Sequence, residues 1–269
     1  MKIEEWINTK LGQDIWKNKY AFHNETFDQW LNRVSNNNKE LKQLIIDKKF
    51  LFGGRILANR GLNKKGLKVT YSNCYVIPKV EDNLESIFDT AKYLARTYSY
   101  GGGCGIDISN LRPNGMKVHN AADTTTGSIS FMDLYSKVTE IIGARGRRGA
   151  LMISIICTHP DLLKFIDIKN DLDKVTKANI SIRILDDFMK AVKEDKDWTL
   201  YFKNKEYNDE IKNTYKAREI FHKICKNNWN MAEPGMLFWD TISNWNLLSE
   251  DKEFEYAGTN PCAKSLWFM

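Results

Sequence analysis

Several things are scarce in this chain. Among 269 residues there are 5 cysteines, 5 prolines and 4 histidines. The cysteines stand at 74, 104, 157, 225 and 262, and no two form a C-x-x-C pair. That odd, scattered set argues against a disulfide framework or a zinc site. No apolar run reaches the roughly 18 residues a transmembrane helix needs. The opening Met1-Lys2-Ile3-Glu4-Glu5-Trp6 is charged and has none of the apolar core of an export signal. A reducing, cytoplasmic setting is therefore expected. Low-complexity linkers and internal repeats are also missing, which leaves a chain long enough for one large domain or two small ones.

Against these absences, 42% of the residues are hydrophobic and 12% aromatic, which is ample for a packed core. The formal net charge of +6 fits phosphate-bearing ligands or nucleic acid. Charge alone decides neither, so basic residues set among glycines are the informative ones.

Residues 1 to about 50 read as a helical segment. Trp6, Ile7, Leu11, Ile15 and Trp16 supply apolar positions, and Thr26 and Asn38 are caps for the next two helices. Phe52 to Gly66 is glycine-rich and reads as a loop. Tyr71 to Pro78 reads as a short strand, and Asn83 caps a helix whose apolar face runs from Leu84 to Tyr98. Three glycines then feed the apolar stretch Cys104-Gly105-Ile106-Asp107-Ile108. They precede a strand, so they are not a dinucleotide-binding loop. Thr124 to Ser128 is a hydroxyl-rich helix start. The helix after it closes on Gly143-Ala144-Arg145-Gly146-Arg147-Arg148-Gly149, where guanidinium groups and backbone amides can surround an anion. Ala150–Ile156 is an apolar strand of the kind covered on both faces. Pro160 opens a short helix, Asn179–Ile184 and Trp198–Phe202 read as strands, and Asp186–Val192 and Arg218–Trp229 as helices. A last short strand begins near Gly235. Such alternation indicates an α/β fold with a parallel component.

Near the end, Asn260-Pro261-Cys262 places a cysteine on a proline-stiffened turn. That thiol can be a nucleophile, a metal ligand, a radical carrier or simply a small apolar plug. His159 and His222 show no ligand spacing, and Cys104, Cys157 and Cys225 read as structural.

Together, Ser72-Asn73-Cys74, the run Gly101 to Pro113, Gly146 to Met152, Ala232-Glu233-Pro234-Gly235 and Asn260-Pro261-Cys262-Ala263 resemble, in this order, the large subunits of ribonucleotide reductases. They are most similar to the adenosylcobalamin-dependent, class II branch. The resemblance runs from about Phe52 to Ala263. It implies an N-terminal helical segment (1–50) followed by the first part of a ten-stranded α/β barrel (51–263), incomplete in this chain, with a tail (264–269) unlike the family. It implies Cys262 as the thiyl-radical site, Asn260 as a ribose contact and Cys74 as one of the reducing cysteines. Ser72, Asn73 and Gly103 fall at the substrate, and Asp82, Arg112 and Arg147 at the site of a deoxynucleoside triphosphate or ATP effector. Adenosylcobalamin as cofactor, a ribonucleotide substrate, a thioredoxin-like reductant, and a homodimer or a complementing C-terminal fragment follow from the same resemblance. Neither a membrane nor a nucleic-acid partner is expected, because one arginine loop without a known binding module supports the latter poorly. The N-terminal segment lacks the pattern of the family's ATP-cone.

The departure from the family pattern is at the end, after Ala263. Lys264 stands where the resemblance puts a glutamate that serves as base, and an ammonium group has no acceptor to offer. The expectation is a portion of a reductase interrupted just past the radical cysteine, by frameshift, split gene, intron or intein, and inactive alone. Two alternatives are a nucleotide-binding fragment that keeps the effector site without catalysis, and a class I large subunit.

Overall fold

A computed structural model of the chain describes residues 2–120, 122–142, 149–204, 206, 208–248, 250–251 and 254–263. The chain divides into two compact units, Met1–Asn73 and Cys74–Met269.

In the first unit the best-defined helix is Phe27–Ser35, started by a capping box in which Thr26 and Gln29 satisfy each other's backbone amides. Its positions 27, 30, 31 and 34 share one face and bury Phe27, Trp30, Leu31 and Val34. Trp6 and Trp16 pack against them, with Phe27 stacked on Trp30 at 5.5 Å. Asn38 caps Lys39–Ile46 as the sequence indicates. Two expectations change here. The first helical segment is interrupted: Ile3–Trp6 ends, Thr9 caps a new helix at Lys10–Ile15, and Leu11 is left 71% exposed. A local side-chain acceptor thus outweighs apolar spacing. The glycine-rich stretch after Phe52 is not all loop. It holds a helix at Gly54–Asn59 and a 3-10 turn at Leu62–Lys65, the latter bounded by Gly61 and Gly66 at φ 80° and 79°.

The second unit is built on seven strands among the described residues: β1 (Cys74–Val76), β2 (Gly103–Asp107), β3 (Leu151–Ile156), β4 (Asn179–Ile184), β5 (Asp197–Asn204), β6 (Asp209–Lys216) and β7 (Gly235–Phe238). Five of them form one sheet in the order β1-β2-β3-β4-β7, parallel throughout, and β5-β6 form a separate antiparallel hairpin. Among the described residues the sheet is open, an α/β arrangement with one neighbour for β1 and one for β7. The alternation of strand and helix foretold the parallel sheet. It did not foretell β6, whose Asp-Glu-Ile-Lys-Asn-Thr-Tyr-Lys sequence is almost wholly exposed and has no apolar face to betray it.

Side-chain alternation gives the sheet two unlike faces. Cys104 and Ile106, Leu151, Ile153 and Ile155, and Ile180, Ile182 and Ile184 join the core with Leu94, Met132, Phe165, Phe188 and Ile224 from the covering helices. The opposite face carries Gly103, Gly105 and Asp107 on β2, Ser154 on β3, and Ser181 and Arg183 on β4. Val76, Met152, Ile156 and Leu237 share that face, so it is mixed, with glycines and polar groups set among apolar residues.

Candidate active site

The segment ending at Cys262 lies on this second face, the one that carries Gly103 and Gly105. A Cβ placed on Gly105 would fall 1.5 Å from the Thr259 carbonyl oxygen and 3.3 Å from Asn260 Cα. One placed on Gly103 would fall 3.0 Å from Pro261 Cγ, and Gly258 lies within van der Waals reach of Asp107 and Val76. Residues 258 to 261 therefore run back along β2, over positions 107, 105 and 103 in turn. At Gly105 the backbone above leaves no room for a side chain, whereas at Gly103 a Cβ would be tight against the Pro261 ring and Ala150. Thr259 and Asn260 are buried, and the Ala263 amide donates to the Asn260 carbonyl at 2.9 Å, closing a turn with Pro261 at its second position. Cys262 sits at the third and is exposed.

β1 pairs with β2 so that Cys74 is level with Gly103. By alternation Cys74 belongs to the face over which Pro261 passes, so the structure brings β1 and the Cys262 turn to one side of the sheet. Ser72 and Asn73 are exposed residues at the end of the first unit, with the Ser72 amide held by Thr70 Oγ1 at 3.1 Å.

Beneath the root of this loop is a charge network absent from the sequence reading. Asp107 is buried. It accepts from Ser154 Oγ at 2.7 Å and from the Ser109 amide at 3.1 Å, and pairs with Arg183 at 3.2 Å. The Arg183 guanidinium lies over the Trp239 ring at 3.7 Å. The available signal was an aspartate inside an otherwise apolar strand.

The other cysteines separate cleanly. Burial pushes the Cys104 and Cys157 thiols up to about 12, so neither is a thiolate at neutral pH. Cys225 is exposed on the helix Ala217–Met231, so the structural reading fails there: it fills no core.

The residues of the expected effector site also meet. Arg112 donates Nε to Asp82 Oδ2 at 2.7 Å and its amide to Asp82 Oδ1 at 3.0 Å, and a further guanidinium nitrogen bonds the Lys117 carbonyl at 2.7 Å. Arg147 and Lys264 lie outside the described residues. Behind Arg112, the buried pair His159 and Asp161 forms hydrogen bonds that no spacing rule indicated. Asp161 also caps the helix Ser128–Ile141, accepting from the Ser128 amide at 3.1 Å and its hydroxyl at 2.9 Å. The hydroxyl-rich stretch before that helix does not supply the cap: Gly127 sits there at φ 89°. The Ala232 to Gly235 motif has a structural use as well. Glu233 accepts from the Ile180 amide at 3.1 Å and pairs with Lys169 at 3.0 Å, fastening the start of β4.

A family model described as ribonucleotide reductase, barrel domain, matches residues 72–266. This chain belongs to the ribonucleotide reductase family. It is 36% identical over 195 residues to the vitamin B12-dependent ribonucleoside-diphosphate reductase of Thermoplasma acidophilum, covering 72% of this chain and 25% of that protein. It is 33% identical over 195 residues to the protein of the same name from Mycobacterium tuberculosis, covering 72% of this chain and 27% of that one. The ribonucleoside-diphosphate reductase large subunit of monkeypox virus is 26% identical over 229 residues, covering 76% and 29%. The chain thus spans about a quarter of the length of the curated relatives it matches. The matched reductase region contains every strand of the sheet and the loop that crosses it.

Proposed function

We propose that this chain supplies the radical-cysteine segment of a ribonucleotide reductase, an enzyme that reduces a ribonucleotide to its 2′-deoxyribonucleotide. The observation that carries the reading is the seating of the Asn260-Pro261-Cys262 turn over Gly103 and Gly105, on the face to which Cys74 belongs. A stiff turn on a rigid sheet can hold one thiol in place while leaving it open to a substrate. In this reading Cys262, as a thiyl radical, takes the 3′ hydrogen of the ribose, and Asn260 bonds a ribose hydroxyl. Cys74 and a second thiol give two electrons and two protons and become a disulfide. The 2′ hydroxyl leaves as water, and the 3′ hydrogen returns. Ser72, Asn73 and Gly103 border the sugar, and a thioredoxin-like dithiol restores the reduced pair.

The curated relatives named as vitamin B12-dependent support adenosylcobalamin as the cofactor. The chemistry of the described residues fits it at one point, the exposed Cys262 thiol, from which a hydrogen atom can be drawn. When bound, the cofactor would supply a carbon radical by homolysis of its cobalt–carbon bond. No described residue is assigned to hold the corrin.

Lys264 offers no acceptor where a base is required, so the chain alone is expected not to turn over. The test replaces the matching segment of the Thermoplasma acidophilum reductase with residues 72–263 of this chain. Deoxyribonucleotide formation with adenosylcobalamin and dithiol is expected, and Cys262→Ser should abolish it. Turnover that survives Cys262→Ser overturns the reading.

The assembled Asp82–Arg112 pair favours a second reading, a nucleotide-binding segment without chemistry. Binding of a deoxynucleoside triphosphate by a chain whose segment never supports turnover would select it.

A further inference from the structure

We propose that His159 and Asp161 are positioning residues for Arg112, gripping the chain on both sides of it; the functional meaning of the grip rests on the effector-site reading of Asp82 and Arg112. His159 is 1% exposed and Asp161 4%. The Asp161 amide donates to His159 Nδ1 at 3.0 Å, which leaves the proton on Nε2. That Nε2–H faces the Leu111 carbonyl at 2.8 Å. The Asp161 carboxylate in turn accepts from the Asn114 amide at 3.1 and 3.2 Å. Leu111 and Asn114 are thus both fixed, and only Arg112 and Pro113 stand between them. Proline holds its own φ, so this two-residue span has little freedom left. It points the guanidinium at Asp82.

The grip has its own foundation. The Asp161 carboxylate also holds the first turn of Ser128–Ile141, and a Cβ on Gly127 would lie 2.4 Å from the Asn114 nitrogen and 2.7 Å from Asp161 Oδ2. Three segments, at 111–114, 127–128 and 159–161, therefore converge on one buried carboxylate. Neither His159 nor Asp161 is exposed to a ligand. Their effect on binding passes through Arg112.

The experiment uses the full chain. Each of the four deoxynucleoside triphosphates is titrated calorimetrically into the wild type and into His159→Ala, His159→Gln and Asp161→Asn. Losing one buried hydrogen bond should weaken the affinity about tenfold in His159→Ala, while His159→Gln, whose amide can still donate to Leu111, should stay within about threefold. In parallel, the ¹⁵N-detected Arg112 Nε–H resonance should move in His159→Ala and be restored in His159→Gln, with the amide signals of β2 and β3 unchanged. If the wild type binds none of the four nucleotides, the effector reading fails, and the Arg112 resonance still decides the grip. If that resonance and the affinity are unchanged in His159→Ala, the grip is overturned. Should His159→Ala not fold, Asp161→Asn decides by the same two measurements.

Discussion

The thiols differ most sharply in what surrounds them. Cys262 and Cys225 are exposed, whereas burial raises Cys104 and Cys157 to about 12. Iodoacetamide at pH 8 followed by peptide mass spectrometry should therefore modify Cys262 and Cys225 early, and Cys104 and Cys157 only when the chain unfolds. Early labelling of Cys104 would contradict the packing of β2. Asp107 is a second decisive residue. Its carboxylate answers a guanidinium whose side chain is only 12% exposed. Replacing it by alanine leaves that charge buried and should cost about 3 kcal/mol or more in a urea titration. Burial lowers the His159 pKa below the ordinary imidazole value of 6.5, against the opposing pull of the Leu111 carbonyl and of Asp161, Asp107 and Asp82. The unfolded chain then binds the extra proton first, so stability should fall as pH drops through about 6.5 and below. His159→Gln should flatten that part of the curve, as measured by urea midpoints between pH 5 and pH 8. An unchanged slope would argue against a buried neutral imidazole.

Among the elements, β2 and the segment crossing it depend on each other. Gly105 has no substitute: even one methyl group would meet the Thr259 carbonyl. Gly105→Ala should preserve the circular dichroism of the sheet, destabilise the chain by about 1–3 kcal/mol, and uncover Cys74 to alkylation severalfold faster. An unchanged Cys74 rate would mean that the loop does not rest on β2. The β5-β6 hairpin and the broken first helix show where local reading falls short. Apolar periodicity is a signal of burial, and these segments are defined by backbone pairing or by a cap.

Taken whole, the second unit has, among the described residues, an open sheet whose last strand exposes Met236 and Phe238, and the chain that follows it exposes Trp245 and Leu247. An unpaired edge with apolar neighbours invites association. Sedimentation velocity should show mass rising with concentration, and Phe238→Lys should reduce it. A chain monomeric at every concentration would remove this expectation.

The α/β class, the helix Leu84–Ser99, the strands β1 to β4 and the family itself were legible from residues alone, because apolar periodicity, caps and long ordered motifs are local properties. Cys262 on a proline turn was legible for the same reason. Folding decided what lies beneath and behind those residues: that Gly105 is a saddle for Thr259, that Asp107 and Arg183 neutralise each other, that Asp161 caps a helix beginning 33 residues earlier, and that His159 reaches the Leu111 carbonyl. Each joins segments distant in the chain, and no spacing rule encodes a contact that exists only once the sheet has set its register.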